Sequence, residues 1–168
     1  MTKVLVASAS KHGSTEEIAQ AIGEVLRAHG LEVDVKRMED VDTVFPYDAF
    51  VLGSAVYVGG WLRSANRFLA EHEELISTRP TWLFSSGPIG DPPHAAAEES
   101  FDAVDLVDRT HARDHRQFGG KLDKAQLSLG ERAAAGLLRV PGGDYRQWDA
   151  ITAWGTAIAR SLTADLLV

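Results

Sequence analysis

Ser10, Ser14 and Thr15 cluster three hydroxyl groups around Gly13, immediately before an apolar helical repeat. Hydroxyl donors, a residue without a Cβ and the unpaired N–H groups of a helix start form a cradle for an anion of phosphate size. Lys11 and His12 fill the remaining places in the loop and bring cationic character, His12 to the anion or to whatever lies beside it. Val4, Leu5, Val6 and Ala7 form a continuous apolar run just ahead, the pattern of a strand buried on both faces. Ser14 followed by Glu17 reads as a capping box, which predicts a helix from Ser14. A plain polar turn is the competing reading; strand, loop and cap agreeing on one anion site weighs against it. Neither a Walker loop nor a dinucleotide fingerprint is present, because Gly13 is the only glycine of the loop.

Two further stretches offer binding chemistry. In Ser54, Ala55, Val56, Tyr57, Val58 and Gly59, small residues and backbone donors precede Gly60 and Trp61, which suits a planar aromatic ligand. Tyr57 and Trp61 are either stacking faces for that ligand or caps on the core. Ser86, Gly87, Pro88 and Gly90 give a third segment rich in backbone and poor in bulk. No catalytic acid or base stands out, and no GxSxG elbow for a serine hydrolase occurs. A phosphoacceptor receiver is disfavoured, since Ser8, Ala9, Ser10, Gly53 and Ser54 occupy the places where it needs carboxylates. His111 and His115 would share one strand face too far apart to chelate one metal, and read as solvated edge residues.

The elements that must position these segments alternate. Ile18, Ala21, Ile22, Val25 and Leu26 recur at helical spacing and end at His29 and Gly30. Leu31, Val33 and Val35 then alternate with charged residues, the pattern of an edge strand. Apolar strands follow at Ala49 to Leu52 and Thr81 to Phe84, with a helix between them through Leu62, Ala65, Phe68, Leu69, Leu75 and Ile76. Ala97, Phe101, Val104 and Leu106 predict a weaker helix, and residues 110 to 118 a polar fifth strand at an edge. The last helix carries Trp148, Ile151, Trp154, Ile158 and Leu162 on one face, with Asp144 and Gln147 as its capping pair and the tryptophans in the core. Right-handed crossovers call for a five-stranded parallel sheet with helices on both faces; an exposed second strand beside apolar first, third and fourth strands makes 2-1-3-4-5 the economical order, with ligands beyond the carboxyl ends near strands one and three.

At 168 residues the chain reads as one domain, 1–168, with an elaborated segment at about 119–147 between Gly119-Gly120 and Pro141-Gly142-Gly143. Ala133, Leu137 and Leu138 predict a short helix there; the segment either covers a substrate face or packs for stability. A 45% hydrophobic and 24% charged composition excludes disorder. Zero cysteines exclude disulfides, thiolate metal sites and dithiol chemistry, so electron transfer here must belong to a bound cofactor. A net charge of −7 disfavours nucleic acid and suits a basic partner. Apolar runs too short to span a bilayer and the absence of a signal peptide pattern lead to a cytoplasmic expectation without an integral membrane segment.

The loop Ser10-Lys11-His12-Gly13-Ser14-Thr15 resembles the T-x-T-G-x-T phosphate loop of the flavodoxin-like family, with His12 where that pattern has a hydroxyl. The stretch SKHGSTEEIA is most similar to the flavodoxin-domain branch that includes menaquinone-dependent protoporphyrinogen dehydrogenase. The resemblance implies a flavodoxin-like three-layer sandwich and noncovalent FMN, with the first loop on its phosphate and the second and third loops on its ring. It further implies an FMN-dependent oxidoreductase with a small-molecule or protein redox partner, a quinone among the candidates. An electron-transfer flavodoxin serving a protein partner is the alternative.

Overall fold

The computed structural model describes residues 2–11, 13–57, 60–87, 101–119, 121–122, 143–144 and 148–165. β1 (Lys3–Ala9) buries nearly its whole length, as its apolar run requires. α1 (Ser14–Ala28) follows it and is closed by Gly30 at φ 85°, a backbone state that glycine adopts without strain. β2 (Glu32–Arg37) pairs only with β1, so its charged alternate residues face solvent at the sheet edge.

β3 (Ala49–Tyr57) runs well past the Leu52 expected from its apolar stretch, because β5 (Thr81–Ser86) pairs alongside it as far as Ala55. β4 (Gly60–Trp61) folds back antiparallel on the end of β3 and adds a sixth strand that the sequence pattern does not announce. α2 (Arg63–Ile76) connects this hairpin to β5, and α3 (Phe101–Thr110) connects β5 to β6 (Asp114–Phe118). The order β2-β1-β3-β5-β6 is parallel throughout and is the expected 2-1-3-4-5 once β4 is set aside. β7 (Lys121–Leu122) and β8 (Gly143–Asp144) form a separate two-stranded antiparallel ladder, and α4 (Trp148–Asp165) ends the fold.

Two cores result, one on each face of the sheet. Val4, Val6, Val51 and Phe84 pack with α1 and α4 through Ile18, Ile22, Ile151, Trp154 and Ile158. Leu5, Phe50, Leu52 and Leu83 pack with α2 and α3 through Phe68, Leu69 and Leu106. Gly53 admits this packing, since a Cβ there would lie 2.1 Å from the Phe84 ring.

Three expectations change. The α3 register places Ala103 and Leu106 in the core and leaves Val104 59% exposed, because its position on the helix turns away from the sheet. Trp148 is 40% exposed at the first turn of α4, whereas Trp154 is core. The Asp144 backbone is paired with Lys121 in β8, and the residues between it and α4 lie outside the described residues. His111 stands in the turn before β6 at φ 53°, with Nδ1 3.1 Å from the Ser77 carbonyl, so it shares no strand face with His115. Ala97, Ala133, Leu137, Leu138, Gly120, Pro141, Gly142 and Gln147 lie outside the described residues.

Candidate functional site

Sheet register gathers the three candidate segments at one edge. Ala9 of β1 lies opposite Ser54, Ser54 opposite Ser85, Ala55 opposite Ser86, and Ser86 opposite Phe118. The residues that follow each strand therefore emerge side by side at the carboxyl ends, where open α/β sheets bind ligands.

In the first loop Gly13 is at φ 86° and acts as the N-cap of α1. Its N–H donates to Ser10 Oγ at 2.8 Å, and its carbonyl accepts from the Glu17 N–H at 3.2 Å. The capping box expected of Ser14 and Glu17 does not form. The left-handed turn at Gly13 already supplies the first helical acceptor, which makes Ser14 the first helical residue rather than the cap. The early N–H groups of α1 thus face the loop with no carbonyl one turn back to bond. A Cβ on Gly13 would meet nothing within 4 Å, so glycine is required by conformation, and the space beside it is open. Lys11 is exposed, Ser10 and Ser14 are half-buried, and His12 lies outside the described residues.

Thr15 is fully buried, and its Oγ1 has no hydrogen-bond partner among the described residues. Ser86 repeats the pattern at the end of β5: it is 4% exposed and its Oγ is likewise unpartnered. Leaving a buried hydroxyl unsatisfied costs about 1–3 kcal/mol, so two at one sheet edge ask for an external partner.

Ser54 spends its hydroxyl inside the protein, accepting from the Leu62 N–H at 3.1 Å and donating to the Ala55 carbonyl at 2.9 Å. Ala55 and Val56 are half-buried, and the Tyr57 backbone pairs with Gly60. Trp61 is core: its indole Nε1–H donates to Ser85 Oγ at 2.7 Å, which removes it as a stacking face. Gly87 takes φ 109°, donates its N–H to the Phe118 carbonyl at 2.8 Å and accepts from Gln117 Nε2. Val58, Gly59, Pro88 and Gly90 lie outside the described residues.

Charge at this edge is mixed. Glu16, in the first turn of α1, lies 3.7 Å from Arg37, which also meets Glu39 at 3.5 Å and Asp40 at 3.2 Å. Those carboxylates, Asp40 foremost, hold the Arg37 guanidinium above its ordinary pKa. An open groove of about 430 Å³ runs between them, lined by Ser8, Glu16, Gln20, Val35 and Arg37 among others. It lies beside β2, on the side of β1 away from β3, so the strands that carry the second and third segments do not line it. Among the described residues no three His, Asp or Glu side chains are placed to hold a metal ion.

Residues 5–146 match the flavodoxin domain. This chain belongs to the flavodoxin-domain family. No curated protein matches it. Among solved structures, the chain superposes in full on 38% of rubredoxin:oxygen oxidoreductase from Desulfovibrio gigas, with a TM-score of 0.69 at 16% identity. A flavodoxin from the domain Archaea matches 96% of this chain over 99% of its own length, at TM-score 0.65 and 17% identity. Flavodoxin 2 from Bacillus cereus matches 98% of this chain over 99% of its own, at TM-score 0.63 and 19% identity. These likenesses establish the fold. FMN is the cofactor of flavodoxin domains, and the donor set present fits it: a helix N-terminus behind a left-handed glycine, and two buried hydroxyls without partners.

One residue of the neighbourhood escaped the sequence reading. His115 is half-buried, with Nε2 2.8 Å from Ser85 Oγ, and is not a solvated edge residue. Its polar neighbours Asp114 and Arg116 hide this, because they belong to the opposite face of the same strand. The signal that could have found it is the period of two, which puts His115 and Gln117 together on the face that meets α2 and α3.

Proposed function

We propose that this flavodoxin domain is an FMN-dependent oxidoreductase in which Ser10 to Thr15 hold the phosphate and the segments at Ser54–Gly59 and Ser86–Gly90 hold the ring. The observation that carries this reading is the buried, unpartnered Thr15 Oγ1 beside the N-terminus of α1. The Thr15 hydroxyl, the early helical N–H groups and the Ser10 hydroxyl, whose lone pair already anchors Gly13, would hold a phosphate there. Ser86 would offer a second buried hydroxyl to the cofactor. When bound, FMN supplies the electron-transfer chemistry. The chain's own contribution would be to orient it and to set its potential through backbone donors.

The finer reading is a small-molecule acceptor of the quinone class and kinship with the protoporphyrinogen dehydrogenase branch, in a cytoplasmic protein. It is supported by the SKHGSTEEIA loop and by the segment between β7 and β8, long enough to frame an acceptor beside the flavin. No described helix is long and apolar enough to cross a membrane. The net charge of −7 favours a second reading, an electron carrier for a basic protein partner. FMN titration followed by desalting tests the cofactor: retained flavin absorption is expected, and a colourless protein refutes the assignment. Reoxidation of the reduced protein by a soluble menaquinone analogue then separates the two, being catalytic for the enzyme and slow for the carrier.

A further inference from the structure

Trp61, Ser85 and His115 come from three different strands and form one hydrogen-bonded chain on the α2/α3 side of the sheet. Trp61 Nε1 lies 2.7 Å from Ser85 Oγ, which lies 2.8 Å from His115 Nε2. Trp61 and Ser85 are buried, and His115 is half-buried. An indole N–H only donates, so Ser85 Oγ accepts from it. Among the described residues the imidazole Nε2 is placed to accept the serine's own proton.

The ends of this chain coincide with the ends of the two ring-side segments. Trp61 pairs with Val56 and closes the hairpin that carries the Ser54–Gly59 segment. Ser85 immediately precedes Ser86 and Gly87. Two residues beyond His115, Gln117 Nε2 donates to the Gly87 carbonyl, and the Gly87 N–H donates to the Phe118 carbonyl. The edge strand β6 therefore grips the end of β5 and, through Ser85 and Trp61, the β3–β4 hairpin.

We propose that His115 is a positioning residue for the ring half of the flavin site: as acceptor for Ser85 it orients the hydroxyl that anchors Trp61, and so sets the hairpin against the third segment. The inference rests on the FMN reading above and is local to one half of it. His115→Leu removes the acceptor, whereas the side-chain carbonyl of His115→Gln replaces it near the position of Nε2.

The test compares FMN with riboflavin, which lacks the phosphate. His115→Leu weakens both about tenfold, by the same factor, and His115→Gln stays within about twofold of the wild type. Thr15→Val weakens FMN and leaves riboflavin alone. The chain is read without flavin through the Trp61 indole N–H resonance, assigned with Trp61→Phe: it moves upfield in His115→Leu and holds in His115→Gln. Unchanged binding of both flavins by a folded His115→Leu overturns the proposal, as does an unmoved indole resonance or a loss confined to thermal stability. A wild-type chain that binds neither flavin refutes the FMN reading and the ring-side role with it, and the indole resonance then decides the positioning by itself.

Discussion

At the scale of single residues, the site is marked by hydroxyls that the protein leaves unsatisfied. Among the described residues Thr15 Oγ1 and Ser86 Oγ are buried without partners, which penalises the ligand-free fold and rewards binding. Thr15→Val keeps the shape and removes the orphan, so the apoprotein should gain about 1 kcal/mol and melt several degrees higher while FMN binds at least tenfold more weakly. Calorimetry of the apoprotein with an FMN titration checks both signs; a variant that loses stability and keeps affinity would show that Thr15 is ordinary core. Gly13 separates conformation from space. Its φ of 86° penalises any Cβ by about 1–2 kcal/mol, yet a side chain there meets no protein atom. Gly13→Asn should therefore be more stable than Gly13→Val, since Asn tolerates the left-handed state, while both crowd the phosphate and lower FMN affinity. The loop was legible in the sequence from residue types alone. Its cap was not, because Ser14 and Glu17 fit a capping box just as well as a first helical turn.

At the scale of elements, two contacts decide how strands and helices seat. Gly53 is opposed by the Phe84 ring, with atoms 2.1–2.3 Å from where a Cβ would sit. Gly53→Ala should cost about 1–3 kcal/mol in urea denaturation, and adding Phe84→Leu should recover part of that loss. Tyr47, in the connection from β2 to β3, donates its hydroxyl to Asp34 of β2 at 2.8 Å. Burial first, and then the bond to Asp34, push the Tyr47 phenol up to about 12. A folded-state pKa above the unfolded value of roughly 10 means stabilisation fully present below pH 10 and lost as pH rises through about 12. Tyr47→Phe should lower neutral stability by about 1 kcal/mol and flatten the decline of melting temperature across that window. The elements themselves were mostly readable, since apolar runs and helical repeats are local patterns. Val104 was misplaced because its spacing fits the α3 stripe as well as Ala103 and Leu106 do, and only packing against the sheet chooses the face.

At the scale of the whole molecule, the parallel sheet converts distant segments into one edge, and the β7–β8 ladder pairs the two ends of the stretch 123–142. Leu122 is paired directly with Gly143, so a two-residue Asn-Gly turn can replace residues 123–142. If the segment frames an acceptor, the shortened protein retains FMN and loses most of its turnover with a menaquinone analogue. Unchanged turnover with a lowered melting temperature would assign the segment to stability instead.

The order of the strands, the two-faced helical cover and the place of the loop between β1 and α1 followed from the amino-acid sequence by itself. Each depends on patterns a few residues long: continuous apolar runs for buried strands, alternation for the edge, and hydroxyls with glycine before a helical repeat. Tertiary structure alone decided which polar groups are satisfied. Trp61 meets Ser85 across 24 positions of sequence and Ser85 meets His115 across 30, so neither partnership leaves a local trace. The same holds for Thr15 and Ser86, whose side chains are ordinary in sequence and exceptional only because sheet register and helix packing bury them with no partner among the described residues.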